Sequence, residues 1–227
     1  MPEGYLKTRG GRVWYCITGP DKVSDPVMVL HGGPAAAHYY MDPVRGLARK
    51  RPVIFYDQLG CGRSDRPKDR SLWTIEYYTE ELELLRKELG LKRMHILGQS
   101  WGAAVAVEYM LTRRPEGVMS LIMSGPCLSA SRWHDDCRRL ISGMRAKYRK
   151  IIEGSEASGD FGSTAYKKAV FKFYRKHLCR LFLWPSCVIK TFLNTGKDIY
   201  SYMWGPSEFT ITGTLKVYDL NGRLQEI

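Results

Sequence analysis

The chain has 227 residues, 44% of them hydrophobic and 26% charged, and a formal net charge of +12. That length accommodates one domain with a sizeable core, or a core with a modest insertion, and the composition excludes a disordered or fibrous protein. No apolar run approaches the roughly eighteen residues a membrane span needs, and the start, Met1-Pro2-Glu3-Gly4-Tyr5, lacks the basic-then-apolar build of a secretory leader. A cytoplasmic protein is expected, and its six cysteines, with no C-x-x-C pair and no zinc-ligand spacing, are expected to be free thiols.

In chain order, "RVWYCIT" (Arg12–Thr18) alternates β-branched and aromatic residues and reads as a strand. "PVMVLHGGP" (Pro26–Pro34) and "RPVIFYDQLGCGRSD" (Arg51–Asp65) are continuous apolar runs that end in glycines. Runs of that kind suggest strands buried on both faces, as in a parallel sheet covered by helices. A helix follows: Thr74 is its N-cap, Ile75, Tyr78, Leu82, Leu85 and Leu89 recur at three- and four-residue steps, and Gly90 stops it. Then come a strand at Met94–Gly98, a helix from about Gly102 to Arg114 and a strand in "GVMSLIMSG" (Gly117–Gly125). Strand and helix alternate as in α/β folds.

After Cys127 the chain becomes basic, aromatic and helical. The expected division is residues 1–128 as the core, 129–212 as an inserted helical cap and 213–227 as a return to the core. Between Arg132 and Arg180 stand thirteen Lys/Arg against five Asp/Glu. The expected reading is a set of amphipathic helices with solvated basic faces, not a nucleic-acid site. Phe171, Tyr174, Leu178 and Leu181 recur at helical spacing and are expected to pack inward.

The chemistry centres on "MHILGQSWGAAVAVEYML" (Met94–Leu111). Gly98-Gln99-Ser100-Trp101-Gly102 is a G-x-S-x-G element with an apolar strand before it and a helix after it. In that context a serine sits on a strained turn with Oγ exposed as a nucleophile, and side chains at Gly98 or Gly102 would crowd the turn. Acyl transfer also needs donors for a developing oxyanion. The backbone N–H of Trp101, at the helix start, is one candidate, and Gly33 in His31-Gly32-Gly33-Pro34 is the other.

Together "LHGGP", "FYDQLGCGRSD", "HILGQSWGAAVAVEYML" and "MWGPSEF" resemble the proline iminopeptidase family of α/β-hydrolases, serine-type aminopeptidases and amino-acid amidases, from about Val13 to Ile227. The resemblance implies an α/β-hydrolase fold, a mostly parallel sheet flanked by helices with an inserted helical cap. It makes Ser100 the nucleophile, places Gly33 and Trp101 in the oxyanion hole, and assigns Glu208 to the α-amino group of the substrate. A carboxylate among Trp204, Pro206 and Phe209 suits a cationic amine independently. Where the family usually has glycine after the proline of "HGGP", this chain has Ala35-Ala36-Ala37.

A serine needs a base, and in this fold the acid and the histidine follow the serine in chain order. Only His134 and His177 do so, both inside the cap region. His134, in "RWHDDCRR", adjoins Asp135 and Asp136, but adjacent residues make poor base–orienter geometry. The family places its Asp and His after two further core strands, so the triad Asp and His, and the last core strands, are expected to be absent from these 227 residues.

The expected substrate is a small peptide or amino-acid amide, with proline preferred at its N-terminus, handled without metal or organic cofactor. Neither nucleic acid nor membrane is expected as a partner, and self-association through an unpaired sheet edge is. The alternatives are a non-catalytic fragment or half of a split enzyme, and an esterase or lactonase on the same scaffold.

Overall fold

A computed structural model describes residues 2–20 and 24–227. Six strands form one mixed sheet: β1 (Glu3–Thr8), β2 (Gly11–Thr18), β3 (Val27–Leu30), β4 (Val53–Tyr56), β5 (Met94–Gln99) and β6 (Val118–Ser124), in spatial order β1-β2-β4-β3-β5-β6. The β1–β2 hairpin and the β2–β4 pair are antiparallel, and β4, β3, β5 and β6 run parallel. The seven α-helices are α1 (Ile75–Glu88), α2 (Trp101–Arg113), α3 (Ala130–Ser142), α4 (Ala146–Ser158), α5 (Thr164–His177), α6 (Ser186–Asn194) and α7 (Lys197–Met203).

The continuous apolar runs are explained by burial on both faces. Met28, Leu30, Ile54 and Tyr56 point into a core shared with Leu82 and Leu85 of α1 and Val105 and Tyr109 of α2. Their neighbours Val27, Val29, Val53 and Phe55 enter a second layer, covered by Met41 and Tyr40 of a 3-10 segment at His38–Arg49. Each such side chain contributes about 1.5–3 kcal/mol on leaving water. Helix α1 starts where Thr74 accepts from the Tyr77 amide (3.3 Å) and is followed by Gly90 at φ +62°.

Two elements differ from the sequence reading. Strand β1 is missed because, of its six residues, only Leu6 is buried, which leaves little apolar pattern on an edge. In the cap, α5 ends at His177; Tyr174 packs against the small cap core as expected, Phe171 meets Trp184 while staying half-exposed, and Leu178 and Leu181 are exposed instead of packed. Helices α3–α5 enclose a separate small core of Cys137, Ile141, Ile152, Tyr166 and Phe173, with Phe209 inserted from the segment after α7. Residues 213–227 form two 3-10 turns and add no strand, while Leu215 and Leu220 are buried against the main core.

Candidate active site

The serine lies at the C-terminal ends of the parallel strands, where open α/β sheets place their sites. Ser100 sits between β5 and α2 with φ 51° and ψ −116°, a conformation rare for any residue with a Cβ. Backbone contacts hold it there: its N–H donates to Ser124 O (3.0 Å), and its carbonyl accepts from Ala103 (3.0 Å), Ala104 (3.3 Å) and Cys127 (3.3 Å). The flanking glycines are required by contact. A Cβ on Gly98 would lie 2.6 Å from the Ala103 backbone, and one on Gly102 only 2.2 Å from Leu30 O. Among the described residues nothing hydrogen-bonds Ser100 Oγ, which opens onto a narrow pocket.

That pocket also receives Gly33 and Trp101, whose amides make no hydrogen bond to any described residue. Two N–H groups left unpaired beside a serine hydroxyl can stabilise an oxyanion. The surrounding loops are tied together behind them. Trp101 Nε1 donates to Gln58 Oε1 (2.9 Å), Gln58 Nε2 to His31 O (3.2 Å), and the Gln58 amide to His31 Nε2 (3.0 Å). Since Nε2 accepts, the His31 proton is on Nδ1 and donates to Gly32 O (2.8 Å). Burial lowers the His31 pKa to about 4, so the ring is neutral and acts as a fixed strut. On the other side, Tyr40 accepts from the Gly32 amide (2.7 Å) and donates to Gln99 Oε1 (2.5 Å).

The Ala35-Ala36-Ala37 stretch carries a cost. Ala35 has φ 58° and Ala37 has φ 74° with ψ 156°, both in territory that favours glycine. The backbone keeps the turn that a glycine would adopt, held by Ala36 N to Gly32 O (3.2 Å) and Gly196 N to Ala35 O (2.9 Å).

Glu208 lines the far wall of the pocket, between Trp133 and Trp204. Both indole N–H groups donate to its backbone carbonyl, at 2.8 and 3.4 Å, which fixes the residue without using its carboxylate. Tyr200 donates to Oε1 (2.9 Å), and Oε2 has no partner among the described residues. Burial raises the Glu208 pKa and the Tyr200 hydrogen bond opposes that rise, with no cation contributing. A buried carboxylate with one oxygen unpartnered in an aromatic wall is suited to a cationic ligand.

The cap presents this residue through a buried polar chain. Tyr166 of α5 donates to Ser207 Oγ, Ser207 Oγ to Thr210 Oγ1 (both 3.1 Å), and Thr210 to Glu156 of α4 (2.7 Å). Arg138 of α3 grips Glu156 with two bonds (2.7 and 2.8 Å) and donates to Phe209 O (3.1 Å). Three cap helices thus fix the backbone on both sides of Glu208.

The α/β-hydrolase fold family matches residues 25–212. A proline iminopeptidase of Heyndrickxia coagulans is 42% identical over 226 residues, covering 99% of this chain and 78% of that protein. Among solved structures, VinJ aligns over 100% of this chain and 78% of its own, at TM-score 0.94 and 31% identity. A proline iminopeptidase of Mycobacterium smegmatis aligns with the same coverage and identity at TM-score 0.88. The chain belongs to the proline iminopeptidase family of α/β-hydrolases.

Within that family framework the four candidate residues, Ser100, Gly33, Trp101 and Glu208, share one pocket. Among the described residues no histidine lines it. His134 is exposed beside Asp135 at 3.5 Å, His177 lies tilted against Phe173, and His95 bonds Ser120 on the sheet. His38 does form a buried pair with Asp57 (2.8 Å), but it is packed among Trp14, Tyr39 and Phe55 in the second layer. Asp57 holds the turn after β4, also accepting from the Arg63 amide (2.9 Å). His31, Asp57 and Cys61 bring three donor atoms within 4.8 Å of one another, yet each is already engaged, the thiol through Gln58 O (3.2 Å). All six cysteines are unpaired.

Sequence reasoning missed Gln58, Tyr200 and Trp133. Gln58 lay inside a block quoted for its glycines. Tyr200 and Trp133 lie 8 and 75 residues from Glu208, and no local pattern announces either contact.

Proposed function

We propose that this chain carries the nucleophile, oxyanion site and amine anchor of a serine aminopeptidase of the proline iminopeptidase type. Its substrates are small peptides or amino-acid amides with a free N-terminal residue, proline for preference. Glu208 holds the α-ammonium, Ser100 attacks the first carbonyl, and the Gly33 and Trp101 amides receive the negative charge. An acyl-enzyme forms and water releases it. The observation that carries the reading is the convergence of Ser100, two unpaired amides and the Glu208 carboxylate on one pocket.

The experiment is binding of prolinamide to the purified chain by calorimetry, beside cyclopentanecarboxamide, which lacks the amine. Glu208→Gln should weaken prolinamide about 10- to 100-fold, the range of a hydrogen bond to a charged group, and leave the amine-free amide unchanged. Equal loss for both ligands, or loss for neither, rejects the amine anchor and favours an esterase or lactonase. Affinity for prolinamide should also fall at acid pH, because the raised Glu208 pKa neutralises the anchor sooner than an ordinary glutamate.

A second reading rests on the absence of any imidazole from the pocket among the described residues. On that reading the 227 residues alone bind substrate but turn it over poorly, as a non-catalytic fragment or one half of a split enzyme.

A further inference from the structure

From Phe161 to Lys197 the chain contains eight Lys/Arg and no Asp or Glu. The eight are Lys167, Lys168, Lys172, Arg175, Lys176, Arg180, Lys190 and Lys197, and none forms an ion pair with a described residue. Elsewhere arginines are routinely paired, as in Arg12–Asp65, Arg63–Glu3 and Arg138–Glu156. This part of the cap is therefore a field of uncompensated positive charge.

At its centre is an exposed apolar ridge. The turn between α5 and α6 carries Leu181, Phe182 and Leu183 at 57, 82 and 80% exposure, with Leu193 of α6 at 78%. The turn is braced in that posture. Arg175 donates to Phe182 O (2.8 Å) and lies over its ring (5.5 Å), and Trp184 Nε1 donates to Cys179 O (3.1 Å). Beneath it, Trp184 stacks on Phe192 (5.4 Å) and meets Phe171 at the same distance. Large exposed side chains raised on an aromatic base, in a segment whose charged residues are all cations, are of a kind that marks a docking surface.

We propose that α5, α6 and the turn joining them form a docking face for an anionic lipid bilayer, with Phe182 and Leu183 entering the headgroup–acyl boundary and the surrounding Lys/Arg meeting lipid phosphates. No membrane span is needed: an interfacial element binds through buried apolar area plus attraction to anionic lipid. The expectation that no membrane is involved came from the lack of a span and does not bear on this mode. The lipid reading is favoured over nucleic acid because a polyanion in water supplies nothing to bury Leu183 or Leu193. It is favoured over an acidic protein because Phe182 and Leu183 project from the turn at 82 and 80% exposure, as side chains that enter a bilayer surface do.

The test is co-sedimentation of the 227-residue chain with phosphatidylcholine vesicles and with vesicles of phosphatidylcholine mixed with phosphatidylglycerol. Binding is expected to the mixed vesicles, at least tenfold weaker to the neutral ones, and decreasing with added salt. Phe182→Ser with Leu183→Ser should weaken it about a hundredfold through lost apolar burial. Lys168→Gln, Lys172→Gln and Arg180→Gln together should do the same through lost charge. All five side chains are exposed, and thermal melting checks that each variant keeps its fold. No binding to the mixed vesicles, equal binding to neutral ones, or indifference to the Phe182/Leu183 change each overturns the proposal. So does dimerisation abolished by that change without vesicle binding, which assigns the face to a second copy. Tighter binding to duplex DNA than to vesicles, insensitive to Phe182, would assign it to nucleic acid.

Discussion

The two flanks of Ser100 are furnished unequally. Towards β3 and β4, Gln58, His31 and Tyr40 form an interlocked wall behind the unpaired Gly33 and Trp101 amides. Towards β6 the sheet stops at an edge, with Met119, Ile122 and Met123 each more than 40% exposed, and among the described residues no acid–imidazole pair lines the pocket of the serine. Stabilising a charged intermediate and activating a nucleophile are therefore separate tasks in this architecture. Loops among the described residues bring two unpaired amides beside Ser100, and no imidazole of those residues joins them in the pocket.

The largest effect should be on turnover. Loss of a triad base alone costs on the order of 10⁶ in kcat, so residues 1–227 should hydrolyse prolinamide about that much more slowly than a family enzyme with a complete triad. Steady-state assays that find comparable turnover would show that another group serves as base.

On the furnished flank, Gly102→Ala should destabilise by about 3 kcal/mol or prevent folding, since the new Cβ meets the Leu30 carbonyl and cannot be relieved by a rotamer change. Chemical denaturation measures this. Gln58→Ala removes the strut between Trp101 and the loop that carries Gly33. A cost of about 1–3 kcal/mol is expected for the buried indole N–H left unpaired, read in the same experiment.

The same wall should show in a stability–pH curve. Glu81, buried beneath the turn after β4, accepts from the Leu59 amide (3.0 Å) with its other oxygen unpartnered, and burial lifts its pKa to about 8 from 4.5. The folded state then holds a proton that the unfolded chain has lost, so stability falls as pH rises between those values. His31 works in the opposite sense between about 4 and 6.5, so the Glu81 contribution is read above that range. Glu81→Gln should flatten the fall between 6.5 and about 8, and a melting curve with unchanged slope would contradict the assignment.

Smallest, Ala37→Gly should stabilise the chain by about 1 kcal/mol, because it relieves a conformation close to glycine-only. On the bare flank, Ile122→Lys places a charge on the otherwise uncharged β6 edge. It should suppress self-association of residues 1–227 in sedimentation, as charges do on natural edge strands.

The sheet and its flanking helices were legible because burial on both faces leaves long apolar runs and because Thr74 and Gly90 delimit α1 chemically. The cap was legible as helical but not in its packing. Spacing placed Phe171, Tyr174, Leu178 and Leu181 on one face, yet of these only Tyr174 is packed into the cap core, and Leu178 and Leu181 are turned to solvent. Periodicity finds an amphipathic face and says nothing about whether another element covers it.

By itself the sequence determined the strand–elbow–helix around Ser100, since glycines at 98 and 102 are demanded by contacts within a few residues of the turn and by the neighbouring strand. It also determined that no histidine later than His177 exists in these 227 residues. Only the tertiary structure decided that Glu208 would face that serine across 108 residues of chain, with Trp133 and Trp204 holding its backbone and Tyr200 one oxygen. Those contacts are made between elements distant in sequence, and side-chain hydrogen bonding at such range leaves no periodic trace in the chain.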